Sequence, residues 1–351
     1  MEKIDIYTHI TPPKYLAALE RMVPSEITKD IPCRWLPGLG SLDLRFKVLD
    51  ENEGMKQVLS LANPPVEALL EPAQALELSK IANDEMAELV AKYPDYFVGA
   101  VACLPMNDID LALQEADRAI KELNLQGVQM YNTVAGWPEG NKELTDPVFY
   151  PLYEKMVEYD LPIWVHPMHP NKGKIVKDKE EFAEMRVFTG TKDHAWGLIR
   201  GAFELPFETI KTVTRLVYSP VLDMFPDVKF LLHHLGSFVP YLYDRIDILH
   251  GMSQMRNEGD DMGLKRPVLD YFRQFYVDTG IHGNSRGLMC GYDFYGPEKI
   301  LFGTDGPFDA DLGRPTIQRT VAAVENMDIT QEEKEAIFSG NARRLLHLPT
   351  A

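Results

Sequence analysis

Histidines and acidic residues recur along this chain at the ends of short apolar runs. The first run, residues 4–10, passes through Tyr7-Thr8-His9 and is broken by Pro12-Pro13. LPIWVHP (161–167) carries His166, DVKFLLHHLG (227–236) carries His233 and His234, QFYVDTG (274–280) carries Asp278, and KILFGTD (299–305) ends on Asp305. Neutral imidazole nitrogens joined by one carboxylate suit a divalent transition ion. His9, His166 and Asp305 are therefore a candidate ligand set, with zinc the first expectation and manganese the second, if the fold gathers these run ends. Such sites often carry a second ligand two residues before the first histidine, and here that position is Tyr7. A phenolate could coordinate only if the cation lowered its high pKa. A neutral phenol that bonds or packs costs less, which favours Tyr7 as a substrate contact over Tyr7 as a ligand.

The elements that would have to gather these residues show the same rhythm throughout. Eight β-branched runs, the five above together with KQVLSLA (56–62), YFVGAVACLP (96–105) and GVQMY (127–131), alternate with helix-period segments such as 72–93, 108–124, 147–160 and 314–327. Strand–helix alternation predicts a parallel sheet covered by helices. Eight units in one chain predict a single (β/α)8 barrel spanning residues 1–351, with active-site chemistry at the C-terminal ends of the strands. Two gaps are long, 10–55 after the first strand and 167–226 after the fifth. Loops of that size after barrel strands usually shape a site.

Composition narrows the partners. The 351 residues carry 36 Lys and Arg against 53 Asp and Glu, a formal net charge of −17, which argues against nucleic acid and anionic membrane surfaces. No apolar run is long enough to span a bilayer, and the three scattered cysteines lack a CxxC pair, as expected of reduced thiols in the cytoplasm.

The chain resembles the decarboxylase-like branch of the amidohydrolase superfamily along its whole length. The resemblance is carried by the first-strand motif, ACLPMNDIDLALQEADRA (102–119), PIWVHP, FPDVKFLLHHLGSFVPYLYDRID (225–247), YVDTG, ILFGTDGPF (301–308) and SGNARRLL (339–346). It implies a barrel with one divalent ion on His9, His166 and Asp305. The usual fourth ligand, a His or Glu, falls on Tyr7, a departure from the pattern. The acid/base histidine falls on His234, selected by its spacing to Gly236, Pro240 and Arg245. Alternation along a strand then turns His233 toward the helix layer. The implied activity is metal-dependent, non-oxidative decarboxylation of a small aromatic or unsaturated carboxylic acid by a homodimer or larger homo-oligomer. Hydrolysis or hydration on the same barrel is the alternative, and a metal-free barrel that only binds ligand is the third reading. Arg34, Arg45, His169, His194, Trp196 and Arg245 are further candidates for substrate contacts. His282, Asn284 and Arg286 follow the seventh strand and can reach the mouth.

Overall fold

The computed structural model describes residues 1–169, 175–185, 194–259 and 263–349. Eight parallel strands form a closed barrel: β1 (Lys3–Ile10), β2 (Met55–Leu61), β3 (Phe97–Ala100), β4 (Val128–Tyr131), β5 (Ile163–His166), β6 (Phe230–Leu232), β7 (Tyr276–Asp278) and β8 (Ile300–Leu301). Ladders join β1 to β2 to β3, and β4 through β5, β6 and β7 to β8. Two single bridges, Ala102 with Val128 and Thr8 with Gly306, close the remaining gaps. The eight runs expected from the sequence are thus the eight staves.

Helices separate the strands as the periodicity predicts. The excursion after β1 holds α1 (Pro13–Met22) and α2 (Leu42–Asp50). Then come α3 (Pro72–Lys92), α4 (Ile109–Lys121), α5 (Tyr150–Tyr159), α6 (Leu205–Val217), α7 (Val239–Arg256), α8 (Ser285–Tyr295) and α9 (Arg314–Glu325). The apolar faces of these helices meet the outer faces of the strands in one continuous core. The barrel interior is filled by Ile4, Ile6, Tyr7, Val58, Val101, Trp164, Leu231 and Leu301, packed with Leu345 and Leu346 from the C-terminal segment. The long first excursion is a packed cap: Tyr15, Leu19 and Ile27 are buried with Leu61, Cys103 and Tyr131 from the ends of β2, β3 and β4. Among the described residues no helix is long and apolar enough to cross a membrane.

Strand β1 contains an irregularity that matters for the site. Its pairing with β2 steps from Asp5 opposite Gln57 to Thr8 opposite Leu59, so one extra residue bulges at Ile6-Tyr7. A bulge re-aims a side chain locally, and Tyr7 lies in the barrel, only 1% exposed. Two glycines leave it room. A Cβ on Gly303 would stand 2.9 Å from Tyr7 Cβ, and one on Gly280 would stand 3.2 Å from Tyr7 Cδ1.

Candidate metal centre and active site

Strands β1, β5, β6 and β8 deliver His9, His166, His233, His234 and Asp305 to one end of the barrel, around the Tyr7 ring. Tyr7 lies edge-on to His9, His166 and His234, with ring centroids 5.0, 6.0 and 5.5 Å away. Its hydroxyl is 3.4 Å from Nε2 of both His166 and His234. His9 Nε2 is 3.5 Å from one oxygen of Asp305, while His234 Nε2 and His282 Nε2 are 3.6 and 3.7 Å from the other.

Hydrogen bonds fix which histidine nitrogens carry protons. Ser60 Oγ donates to the Thr8 carbonyl at 2.8 Å, so toward His9 Nδ1, 3.3 Å away, it can only accept. His9 therefore holds its proton on Nδ1 and points the Nε2 lone pair inward, where that buried atom has no hydrogen-bond partner. His166 Nδ1 lies 2.8 Å from the Pro167 carbonyl, which cannot donate, so its Nε2 also presents a lone pair. The His9 lone pair faces the Asp305 carboxylate, and only a proton or a cation between them makes that contact attractive.

This arrangement answers whether a divalent ion fits. Two imidazole lone pairs and one carboxylate converge, each imidazole held in place by a bond from its other nitrogen, as metal-binding imidazoles commonly are. Among the described residues no three His, Cys, Asp or Glu side chains already stand at metal-holding spacing, so the fit is one of donor type and tautomer. The Tyr7 hydroxyl occupies one place, against His166 Nε2. Donor chemistry therefore fits, with Tyr7 and an ion in competition for the same lone pair.

Electrostatics separates the groups by role. Burial opposes ionisation of Asp305, yet the hydrogen bond and charge of His234, with the His9 imidazole beside it, outweigh that and hold its carboxyl well below the usual carboxylate range. Burial, then the neighbouring imidazoles of His9 and His233, push His166 well below the ordinary histidine value, so it stays neutral. For His234 burial again opposes the charged form, but the hydrogen bond and charge of Asp305 raise its pKa overall. His234 is thus the imidazole of the group suited to carry a second proton, and it lines the cavity. Burial, then the charges of Asp305 and Asp278, raise the Tyr7 phenol well above its ordinary pKa.

His233 is where the strand rule fails. It does not face the helices: its ring stacks on Tyr7 at 3.6 Å with planes 11° apart, and its Nδ1 lies 2.9 Å from Asp278 Oδ2. The strand ends at Leu232, and His234 and Leu235 both take a left-handed backbone with φ of 57°. Alternation stops with the strand, so both histidines point inward. Asp278 in turn accepts from the backbone N–H of Gly280 at 2.7 Å and of Leu235 at 3.3 Å, tying β7 to this turn. Burial raises Asp278 to about 7.

Other sequence candidates fall elsewhere. Arg34 pairs with Glu20 and donates to the Thr28 carbonyl at 3.2 Å, outside the cavity wall. Arg45 is a buried strut, not a substrate contact: it donates to the His9 and Gly38 carbonyls and to Gln57 Oε1 at 2.8 Å. Burial lowers it to about 10. His169 lies behind the wall, 3.5 Å from Glu204, with burial bringing it to about 4. Trp196 is 42% exposed and Arg245 sits on the outer face of α7, and neither lines the cavity. The His194 side chain lies outside the described residues. Because Arg45 fixes the backbone of His9, Arg45→Met should leave buried acceptors unpaired and cost about 1–3 kcal/mol. Thermal unfolding together with metal titration checks this; unchanged stability and unchanged metal affinity would remove the strut role.

Above the cluster opens a cavity of about 1070 Å³. Its walls are mostly apolar, with Trp35, Pro64, Met168, Leu235, Phe238 and Phe308 facing it. An apolar chamber over a few convergent polar groups is the usual build of a small-molecule site.

The chain belongs to the amidohydrolase family, whose pattern it matches over residues 73–348. It is 31% identical over 313 residues to a gamma-resorcylate decarboxylase of Polaromonas sp. strain JS666, covering 87% of each chain. A solved dihydroxybenzoic acid decarboxylase from the same strain, with bound manganese and the inhibitor 2-nitroresorcinol, superposes with a TM-score of 0.77. That match has 28% identity and covers 100% of this chain and 98% of the other. A 2-keto-4-carboxy-3-hexenedioate hydratase of Sphingobium sp. strain NBRC 103272 / SYK-6 is 27% identical over 77% of this chain and 72% of its own. Decarboxylases of aromatic acids thus stand among its relatives, as the resemblance implied.

Proposed function

We propose that this protein is a metal-dependent, non-oxidative decarboxylase of a small aromatic carboxylic acid. The observation that carries the reading is the convergence of two neutral imidazole lone pairs, one carboxylate and one protonatable imidazole at the floor of an apolar chamber. His9, His166 and Asp305 would hold the ion, which when bound supplies positive charge to chelate the acid and an adjacent oxygen. Manganese in the 28%-identical decarboxylase supports manganese beside zinc as that ion.

The chain's own groups supply the rest. Decarboxylation breaks the bond from ring to carboxyl carbon, leaves its electron pair on the ring, and requires one proton there. His234 faces the chamber and is biased by Asp305 toward holding a proton, so it delivers that proton from Nε2. Tyr7 contributes an un-ionised hydroxyl that orients a substrate oxygen once His166 Nε2 has another partner. Most of the chamber wall is apolar, so few groups besides His234 can supply a proton there.

The hydratase relative supports a second reading, addition of water across an unsaturated acid. A panel of hydroxybenzoates and unsaturated acids, with manganese or zinc supplied and products followed by mass, separates the two. Release of carbon dioxide with formation of the decarboxylated product is expected. Net gain of water without carbon dioxide would overturn decarboxylation.

We further assign a homodimer or higher homo-oligomer, supported by the exposed apolar stripe Tyr241, Ile248, Leu249, Met252 and Met255 on α7. A monomeric mass in solution would remove that assignment. Three free cysteines support a cytoplasmic location.

A further inference from the structure

The chamber has a second polar edge, built by the segment after β7, whose first member, His282, reaches to 3.7 Å from Asp305. After β7 the chain reverses through His282 and Gly283, both left-handed, with φ of 56° and 99°. A Cβ on Gly283 would come within 2.5 Å of Arg319 Cβ, so the turn is pressed against α9 and is fixed in shape. The turn leads straight into α8, whose cap is Asn284. Its Oδ1 accepts from the Gly287 N–H at 3.0 Å, which leaves the amide Nδ2 as a donor. Two residues on, Arg286 stands on the first turn of α8. His282, Asn284 and Arg286 all line the chamber.

Arg286 is the telling member. Among the described residues it is the single Lys or Arg on the chamber wall, and it makes no hydrogen bond or ion pair there. Several guanidinium groups away from the chamber are held in ion pairs: Arg343 with Glu2, Arg314 with Glu51 and Asp311, Arg118 with Glu115 and Asp84. Asn284 and Arg286 are both exposed, so this guanidinium stands at the solvent-open edge of the chamber, free to pair with an entering anion. Its planar fork matches a carboxylate bidentately, and the Asn284 amide adds a neutral donor beside it.

We propose that Arg286 and Asn284 form a second anion subsite, so that the preferred substrate is a diacid: one carboxylate directed to the ligand cluster, a second acidic group on Arg286, and an apolar ring between. The inference rests on the proposed decarboxylase reading only in naming which carboxylate reacts; the subsite itself is a statement about binding.

Isothermal titration of the manganese-supplied protein with benzoate, isophthalate and terephthalate tests it. At least one diacid is expected to bind roughly 10- to 100-fold more tightly than benzoate, the range for charge-assisted hydrogen bonds. Arg286→Gln should abolish that advantage, and Arg286→Lys should recover part of it, which also shows that the variants fold. Equal affinity for all three acids in the unaltered protein would overturn the subsite. So would a diacid preference that survives Arg286→Gln, or an equal loss for benzoate and diacids, which would make Arg286 a receptor for the single carboxylate. Carbon dioxide release is measured separately on the same acids. An Arg286-dependent diacid preference without release leaves the subsite standing and removes the decarboxylase reading, and release without that preference does the reverse.

Discussion

Replacing His234 with Asn should lower kcat by roughly 10²–10⁴-fold, the range for loss of a general acid–base, while the bound ion remains. The two halves of this expectation come from different contacts. His234 Nε2 lies 3.6 Å from the outer oxygen of Asp305 and 3.4 Å from the Tyr7 hydroxyl, and it lines the chamber. The proposed ligands His9 and His166 are fixed independently, by Ser60 and by the Pro167 carbonyl. Asn keeps a polar side chain at the site but cannot store and release a proton. Turnover on the acid identified by the panel, with metal content measured on the same preparation, decides the matter. Near-normal kcat would move the role to His282, the other partly exposed imidazole beside Asp305. Metal loss as severe as that of a ligand variant would make His234 a ligand.

The residues of this site were legible in the sequence to the extent that local rules govern them. His9, His166 and Asp305 end β-branched runs, and in a closed parallel barrel run ends share one rim whatever the loops do. Tyr7 shares the inward face of His9, two residues apart, as strand alternation requires, although the bulge at Ile6-Tyr7 was not visible in the residue pattern. His233 departs from strand alternation because β6 stops at Leu232 and the next turn is left-handed. Nothing in HHLG states that stop, although a glycine two residues after His234 hints at a tight turn.

Arg34, Arg45 and His169 lie off the chamber wall for another reason. A loop arginine or histidine is read as free until its partner is known, and these partners are remote in sequence or invisible as such. Arg45 spends its donors on the carbonyls of His9 and Gly38, and backbone carbonyls leave no trace in a residue pattern. His169 meets Glu204, 35 positions further along the chain by their numbering. Arg286 is the converse case: its type and place after β7 were visible, but its lack of a partner could be seen only in the fold.

Tyr7→Phe and His9→Ala should part company in metal content. His9→Ala removes an inward lone pair and should cost more than the roughly 10–100-fold in affinity typical of losing a group that merely orients a ligand. Tyr7→Phe should keep the ion in full. The Tyr7 hydroxyl sits 3.4 Å from His166 Nε2, and that nitrogen has one lone pair, its other nitrogen being bonded to the Pro167 carbonyl. Hydroxyl and ion therefore compete there, and removing the hydroxyl removes a competitor. Burial and the nearby Asp305 and Asp278 carboxylates also hold the phenol un-ionised, so it enters the site as a donor to substrate. The ring itself should stay where it is, because it is stacked on His233 and seated against Gly280 and Gly303, and Phe preserves both contacts. The expected phenotype is unchanged or tighter metal binding with a raised KM or lowered kcat. Metal titration of both variants under one protocol decides it: an equal, severe loss in each would make Tyr7 a true ligand, and its ionised phenolate the fourth donor of the centre.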